Sequence, residues 1–174
     1  MDRFFNVGES YADGIVMLRY RISLPSFEGY ERINKFYETL TQKASDFCIG
    51  ELKNYANERF KGCDRSDKRF RYEPLRYYLD GETFSDREDV IFVKLSAVLK
   101  KGSEEISRSY DAHAWDTDDQ KLLSPAAVSK LYFPRMRSPV KLRKADGAFV
   151  KDGRLFVCRG NSIEEISIED KKRL

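Results

Sequence analysis

A change of period constrains this chain more than any other feature. Residues 15 to 24 alternate, with Val16, Leu18, Tyr20, Ile22 and Leu24 on one side and Met17, Arg19, Arg21 and Ser23 on the other. That two-residue repeat is the mark of a half-buried strand. Pro25 closes it, and Ser26-Phe27-Glu28-Gly29 is turn-like. From Tyr30 to about Lys61 the apolar residues Ile33, Phe36, Tyr37, Leu40, Ala44, Phe47, Cys48, Leu52, Tyr55 and Phe60 recur every three or four positions. This is the stripe of an amphipathic helix, with Glu31, Lys35, Glu38, Gln42, Lys43, Lys53 and Asn57 opposite it. Gly50 costs about 1 kcal/mol against Ala inside such a helix and marks a place to bend or break. A helix of this extent runs about 45 Å, the length of a strand of roughly 12 or 13 residues, so it suits a sheet of long strands.

After the polar turn Gly62 to Asp67, the pattern returns to strands divided by turn signals. Arg69 to Leu79 is a strand candidate that Pro74 relegates to an edge or a bulge, and Asp80-Gly81 opens a polar loop. Ile91 to Lys100 alternates, turns at Lys101-Gly102-Ser103 and returns through Ile106 to Trp115 as a hairpin. Asp116 to Asp119 turns again ahead of Leu122-Leu123, and Ser124-Pro125 caps a short helix near Ala126 to Leu131. Asp152-Gly153 joins Ala148-Phe149-Val150 to Leu155-Phe156-Val157 as a two-residue hairpin turn, and Ile163 to Ile168 forms a last strand. The expected class is α+β: a long amphipathic helix on one face of a predominantly antiparallel sheet, plus one short helix, in a single domain spanning 1–174.

Composition narrows the function classes. The 23 Phe, Tyr and Trp residues argue against disorder, and no unbroken apolar run exceeds four residues, as at Val90 to Val93, far short of a membrane span. Met1 to Glu9 has no basic region followed by an apolar one, which predicts a cytoplasmic chain with no membrane association. Cys48, Cys63 and Cys158 are odd in number and widely spaced, so free thiols are expected. Gly-rich phosphate loops, Gly-x-Ser-x-Gly and His-Glu-x-x-His are absent, and a single histidine leaves few ways to assemble acid–base chemistry near neutral pH. No catalytic residue, metal or cofactor is therefore assigned.

The strand closing in Leu24-Pro25-x-Phe27, the helix opening Ile33-Asn34-x-Phe36-Tyr37, and Ala114-Trp115-Asp116 ahead of Leu122-Leu123 and a short helix follow one another in a familiar order. Over about residues 15 to 170 the chain resembles the extracytoplasmic domain shared by the lysozyme-sensing anti-sigma-V factor of Firmicutes and many uncharacterised bacterial proteins. The resemblance implies an α+β domain whose best understood members bind a protein ligand. Where members often carry a Gly-Gly-Ala-His-like stretch, this chain reads Ser109-Tyr110-Asp111-Ala112-His113-Ala114-Trp115. No binding residue carries over.

Three places can carry function. Asp111, His113 and Trp115, at alternate positions of one strand, share a face, where a carboxylate can orient the imidazole as a base or the pair can ligate a metal. A hydrogen-bonded structural cluster explains the same residues. Residues 121 to 160 hold ten Lys or Arg against two Asp, and within them Arg135, Arg137, Lys141, Arg143 and Lys144 can neutralise phosphates, with Tyr132 or Phe133 to stack on bases. A solvated basic face balanced by the acids of Ser103 to Asp119 is the competing account. Phe70, Tyr72, Tyr77 and Tyr78 are either sheet core or an aromatic contact surface, with Tyr77 and Tyr78 on opposite faces of a regular strand. The leading expectation is a non-catalytic binding module for a protein partner. A polyanion site at 135 to 144 is the alternative, and a metal or hydrolase site at His113 comes third. An exposed apolar patch on the sheet face away from the helix would locate a protein interface.

Overall fold

The computed structural model describes residues 3–64, 66, 70–136, 142 and 144–166. Strands β1 (Arg3–Ala12) and β2 (Ile15–Pro25) form a hairpin around Asp13-Gly14, with φ of 49° and 73°. Two successive positive φ values define a type I′ turn, which Asp-Gly adopts readily. The predicted helix follows as α1 (Glu31–Phe47), a π-helical turn (Cys48–Leu52) centred on Gly50, and α2 (Lys53–Lys61). Next come β3 (Leu75–Arg87), β4 (Val90–Lys101), β5 (Glu104–Asp116), β6 (Lys121–Leu123) and α3 (Pro125–Tyr132). Strands β7 (Gly147–Lys151), β8 (Arg154–Arg159) and β9 (Ser162–Ile166) complete the described elements.

Six strands pair in the order β1-β2-β3-β4-β5-β6, and β7-β8-β9 make a separate antiparallel sheet. Only two residues separate β3 from β4 and β4 from β5, which permits antiparallel neighbours alone. The helix crosses from β2 to β3, and these two run parallel, with Leu18 beside Leu75 and Ile22 beside Leu79. Contacts divide the chain into two compact units, one of Met1–Ser26, Asn34–Asp80 and Ala97–Arg108, the other of Phe27–Ile33, Gly81–Ser96 and Ser109–Leu174.

In the first unit, Cys48, Leu52, Ala56 and Phe60 of the helix pack on Met17, Leu18 and Leu75, with Tyr20, Tyr72, Tyr77 and Leu99 at the margin. The π-helical turn inserts one residue and shifts the phase of everything after it. Buried positions therefore fall at 48, 52, 56 and 60, while Tyr55, expected in the stripe, is exposed along with Phe47. In the second unit, Val90, Phe92, Ala112 and Ala114 bury against Val128, Leu142, Phe149, Leu155 and Val157. Gly147 admits this packing, since a Cβ there would lie 2.0 Å from the Ala112 carbonyl oxygen. Ser124 caps α3 as expected, its Oγ accepting from the Ala127 amide at 3.2 Å behind Pro125.

Four expectations change. Strand β1 is not among the expected strands, and its more apolar row, Phe5, Val7 and Tyr11, faces outward. Pro74 precedes β3 rather than interrupting it, so its missing donor lies outside the ladder and β3 sits inside the sheet. Asp80-Gly81 continues β3 instead of opening a loop. The strands beyond residue 146 form a second sheet rather than extending the first. Arg69, Ser167 and Ile168, at the ends of two expected strands, lie outside the described residues, as do Arg65 and Asp67 of the expected turn.

Candidate functional site

Asp111 and His113 do meet on one face of β5, with His113 Nε2 3.4 Å from Asp111 Oδ2. The carboxylate is 43% exposed and the imidazole only 10%. Asp111 Oδ1 also accepts from the Ala112 amide at 2.7 Å, which fixes the carboxylate against its own backbone. Trp115, two positions on, is buried. Cys158 is the thiol whose charge senses this carboxylate. Burial pushes it up to about 12 from an ordinary 9.0, with Asp111 and Asp146 adding and Lys94 opposing. A thiol held protonated at neutral pH is no nucleophile. Among the described residues no group of three or more His, Cys, Asp or Glu is arranged to hold a metal ion.

The basic segment offers fewer anchors. Arg135 and Lys144 are exposed, whereas Arg137, Lys141 and Arg143 lie outside the described residues. Tyr132 and Phe133, the expected stacking residues, pack against the core of the second unit. The Tyr132 hydroxyl donates to Asp86 at 2.8 Å, and the Arg87 guanidinium lies 5.4 Å from its ring centroid. Burial and the Asp86 hydrogen bond raise the phenol pKa, so this ring is engaged by its own unit.

A third surface lies in the first unit, on the side of β1–β3 away from the helix. Asn6 Nδ2 donates to Ser45 Oγ of α1 at 3.0 Å, and Tyr20 covers Gly8, so the even residues of β1 face the helix. The odd residues, Arg3, Phe5, Val7, Glu9 and Tyr11, face away and are all exposed. Phe5 is 61% exposed, and Val7 and Tyr11 are each 56% exposed. On β2, Arg19 bonds Glu9 at 2.7 Å, and Arg21 bonds Asp80 at 3.1 Å while lying 5.4 Å from the Tyr78 ring. Arg76 of β3 stands opposite Arg19 in the parallel register, so two guanidinium-bearing residues occupy neighbouring strands. Like charges on neighbouring strands destabilise a sheet, and here Glu9 offsets the Arg19 charge.

The tyrosines divide as strand geometry requires. Tyr77 lies on the helix side, edge-on to Phe47 at 5.8 Å, with its phenol pushed up to about 12 by burial, and Tyr78 lies on the open side. Tyr72 packs edge-on to Phe60 at 5.2 Å and is core margin. The apolar row of β1 has no counterpart among the sequence candidates. Asp13-Gly14 between Phe5, Val7, Tyr11 and the alternation of β2 is the signal that finds it.

No family model and no curated protein matches this chain. Solved structures do. A DUF3298 family protein of Pseudomonas aeruginosa PAO1 is similar over 90% of this chain and 80% of its own, with a TM-score of 0.54 and 10% identity. A DUF3298 family member from Bacteroides fragilis NCTC 9343 is similar over 96% of this chain and 88% of its own, with a TM-score of 0.57 and 6% identity. At so low an identity the likeness speaks to backbone architecture: the chain has the α+β fold seen in DUF3298 proteins.

Proposed function

We propose that this domain is a non-catalytic interaction module whose ligand is a protein, held on the open side of β1–β3. The carrying observation is the exposed row Phe5, Val7 and Tyr11 beside Arg19, Arg21, Arg76 and Tyr78. Aromatic residues and Arg are the types enriched where proteins meet, because they bury large areas and still make directed polar contacts. The resemblance to the anti-sigma-V domain family supports a protein ligand over a small molecule. The geometry at His113, a half-exposed carboxylate beside a buried imidazole, supports a structural pair.

The test compares wild type with Phe5→Asp and Tyr78→Ala as bait. Binding of lysozyme, or of a discrete lysate protein, is expected to weaken at least tenfold in both variants. Equal binding by wild type and variants would move the interface elsewhere. The polyanion reading, supported by the exposed Arg135 and Lys144, predicts oligonucleotide binding with steep salt dependence that these two variants leave intact. Zinc uptake lost on His113→Ala would favour the third.

A further inference from the structure

The two edges of the six-stranded sheet differ. At one end β6 has three residues and begins with Lys121, which gives little purchase for another strand. At the other, β1 has ten residues, contains neither Pro nor Lys, and among the described residues pairs only with β2. A long edge with an apolar outward row invites a further strand.

The side chains of β1 specify which strand. In an antiparallel self-pairing centred on Asn6, Arg3 of one copy, whose guanidinium also donates to Ser23 of its own β2 at 2.7 Å, faces Glu9 of the other and Phe5 faces Val7. On the helix side, bulky Phe4 faces Gly8 and Asn6 faces Asn6. Opposite charges and apolar pairs directly across an antiparallel ladder are stabilising combinations. A register centred on Val7 instead sets Phe5 against Glu9 and runs Tyr11 past the irregularity between Ser10 and Tyr11. The centred-on-Asn6 register stays within the regular stretch, and Glu9, which accepts from Arg19 on one carboxylate oxygen and from the Tyr11 hydroxyl on the other, keeps a second lone-pair site on each oxygen for a further cation.

We propose that the outer edge of β1 pairs with β1 of a second copy of this chain, antiparallel and centred on Asn6, joining two sheets across a two-fold axis. This goes beyond the protein-ligand reading but draws on the same exposed row. One short strand pair is a small interface, so the expected Kd lies between about 1 and 100 μM.

Sedimentation across that concentration range is expected to show a reversible monomer–dimer equilibrium. Arg3→Glu and Glu9→Arg should each weaken it at least tenfold by setting like charges opposite, and the double reversal should restore it to within about threefold. Asn6→Cys in a Cys63→Ser background should form an intermolecular disulfide under mild oxidation, because directly opposed Cα atoms lie at disulfide spacing. A chain that stays monomeric to about 1 mM overturns the proposal. So does a dimer indifferent to the charge reversals, or one in which the double variant fails to recover. A monomer that still loses its protein ligand on Phe5→Asp sinks the dimer and leaves the interaction module standing, whereas a charge-dependent dimer with no other ligand does the reverse.

Discussion

Burial separates the three thiols. Cys48 is fully buried and its thiol is pushed up to about 12 from 9.0 by desolvation, much as burial dominates at Cys158. Cys63 is half-buried, its Sγ donating to the Arg59 carbonyl at 3.3 Å. At pH 8 a disulfide reagent such as DTNB is expected to label one thiol quickly, and all three in denaturant; three fast thiols in the native protein would contradict this packing. The raised values also set a pH dependence. Buried neutral thiols and the Tyr77 phenol bind protons more tightly folded than unfolded, so their contribution is complete below about pH 9. It is lost as pH climbs toward about 12, and alkaline unfolding followed by circular dichroism should show stability falling across that window. Free thiols are legible from the sequence as spacing, but which of them is shielded depends on neighbours far along the chain.

Glycine illustrates how unequal positions of one residue type are, in strand β7 and in the π-helical turn. At Gly147 a methyl would meet the Ala112 backbone, which cannot swing aside, and Gly147→Ala is expected to destabilise on the order of 3 kcal/mol by denaturant unfolding. At Gly50 a Cβ meets open space, so Gly50→Ala should stabilise by about 1 kcal/mol and raise Tm by roughly 2–4 °C. The π-helical turn explains a further contrast. Leu52→Ala should cost about 2–5 kcal/mol, whereas Ile49→Ser, at an exposed position of the same turn, should stay within about 0.5 kcal/mol. The apolar spacing announces the helix but not its phase after Gly50, since one inserted residue rotates Tyr55 out and Ala56 in. Likewise, Pro74 reads in the sequence as an edge or a bulge within a strand, and only the structure makes it a boundary, with β3 interior.

For the whole molecule, self-association through β1 makes stability depend on concentration. Tm is expected to rise with protein concentration in wild type and to be flat in Val7→Lys, whose charge sits on the outward row of the edge. A flat profile in wild type would contradict pairing of β1 with a second copy. The sequence alone determined the class of the protein: strand, long helix, then hairpins with their Asp-Gly and Gly-Ser turns. Those signals are local, written in two-residue and three-to-four-residue periods and in residues that tolerate positive φ. Tertiary structure decided what local patterns cannot carry: the division into two sheets, the interior place of β3 beside β2, and the outward turn of Phe5, Val7 and Tyr11. Periodicity tells which side chains share a face, but whether that face is buried depends on segments distant in the chain. An apolar row left in water reads in sequence like any other core strand.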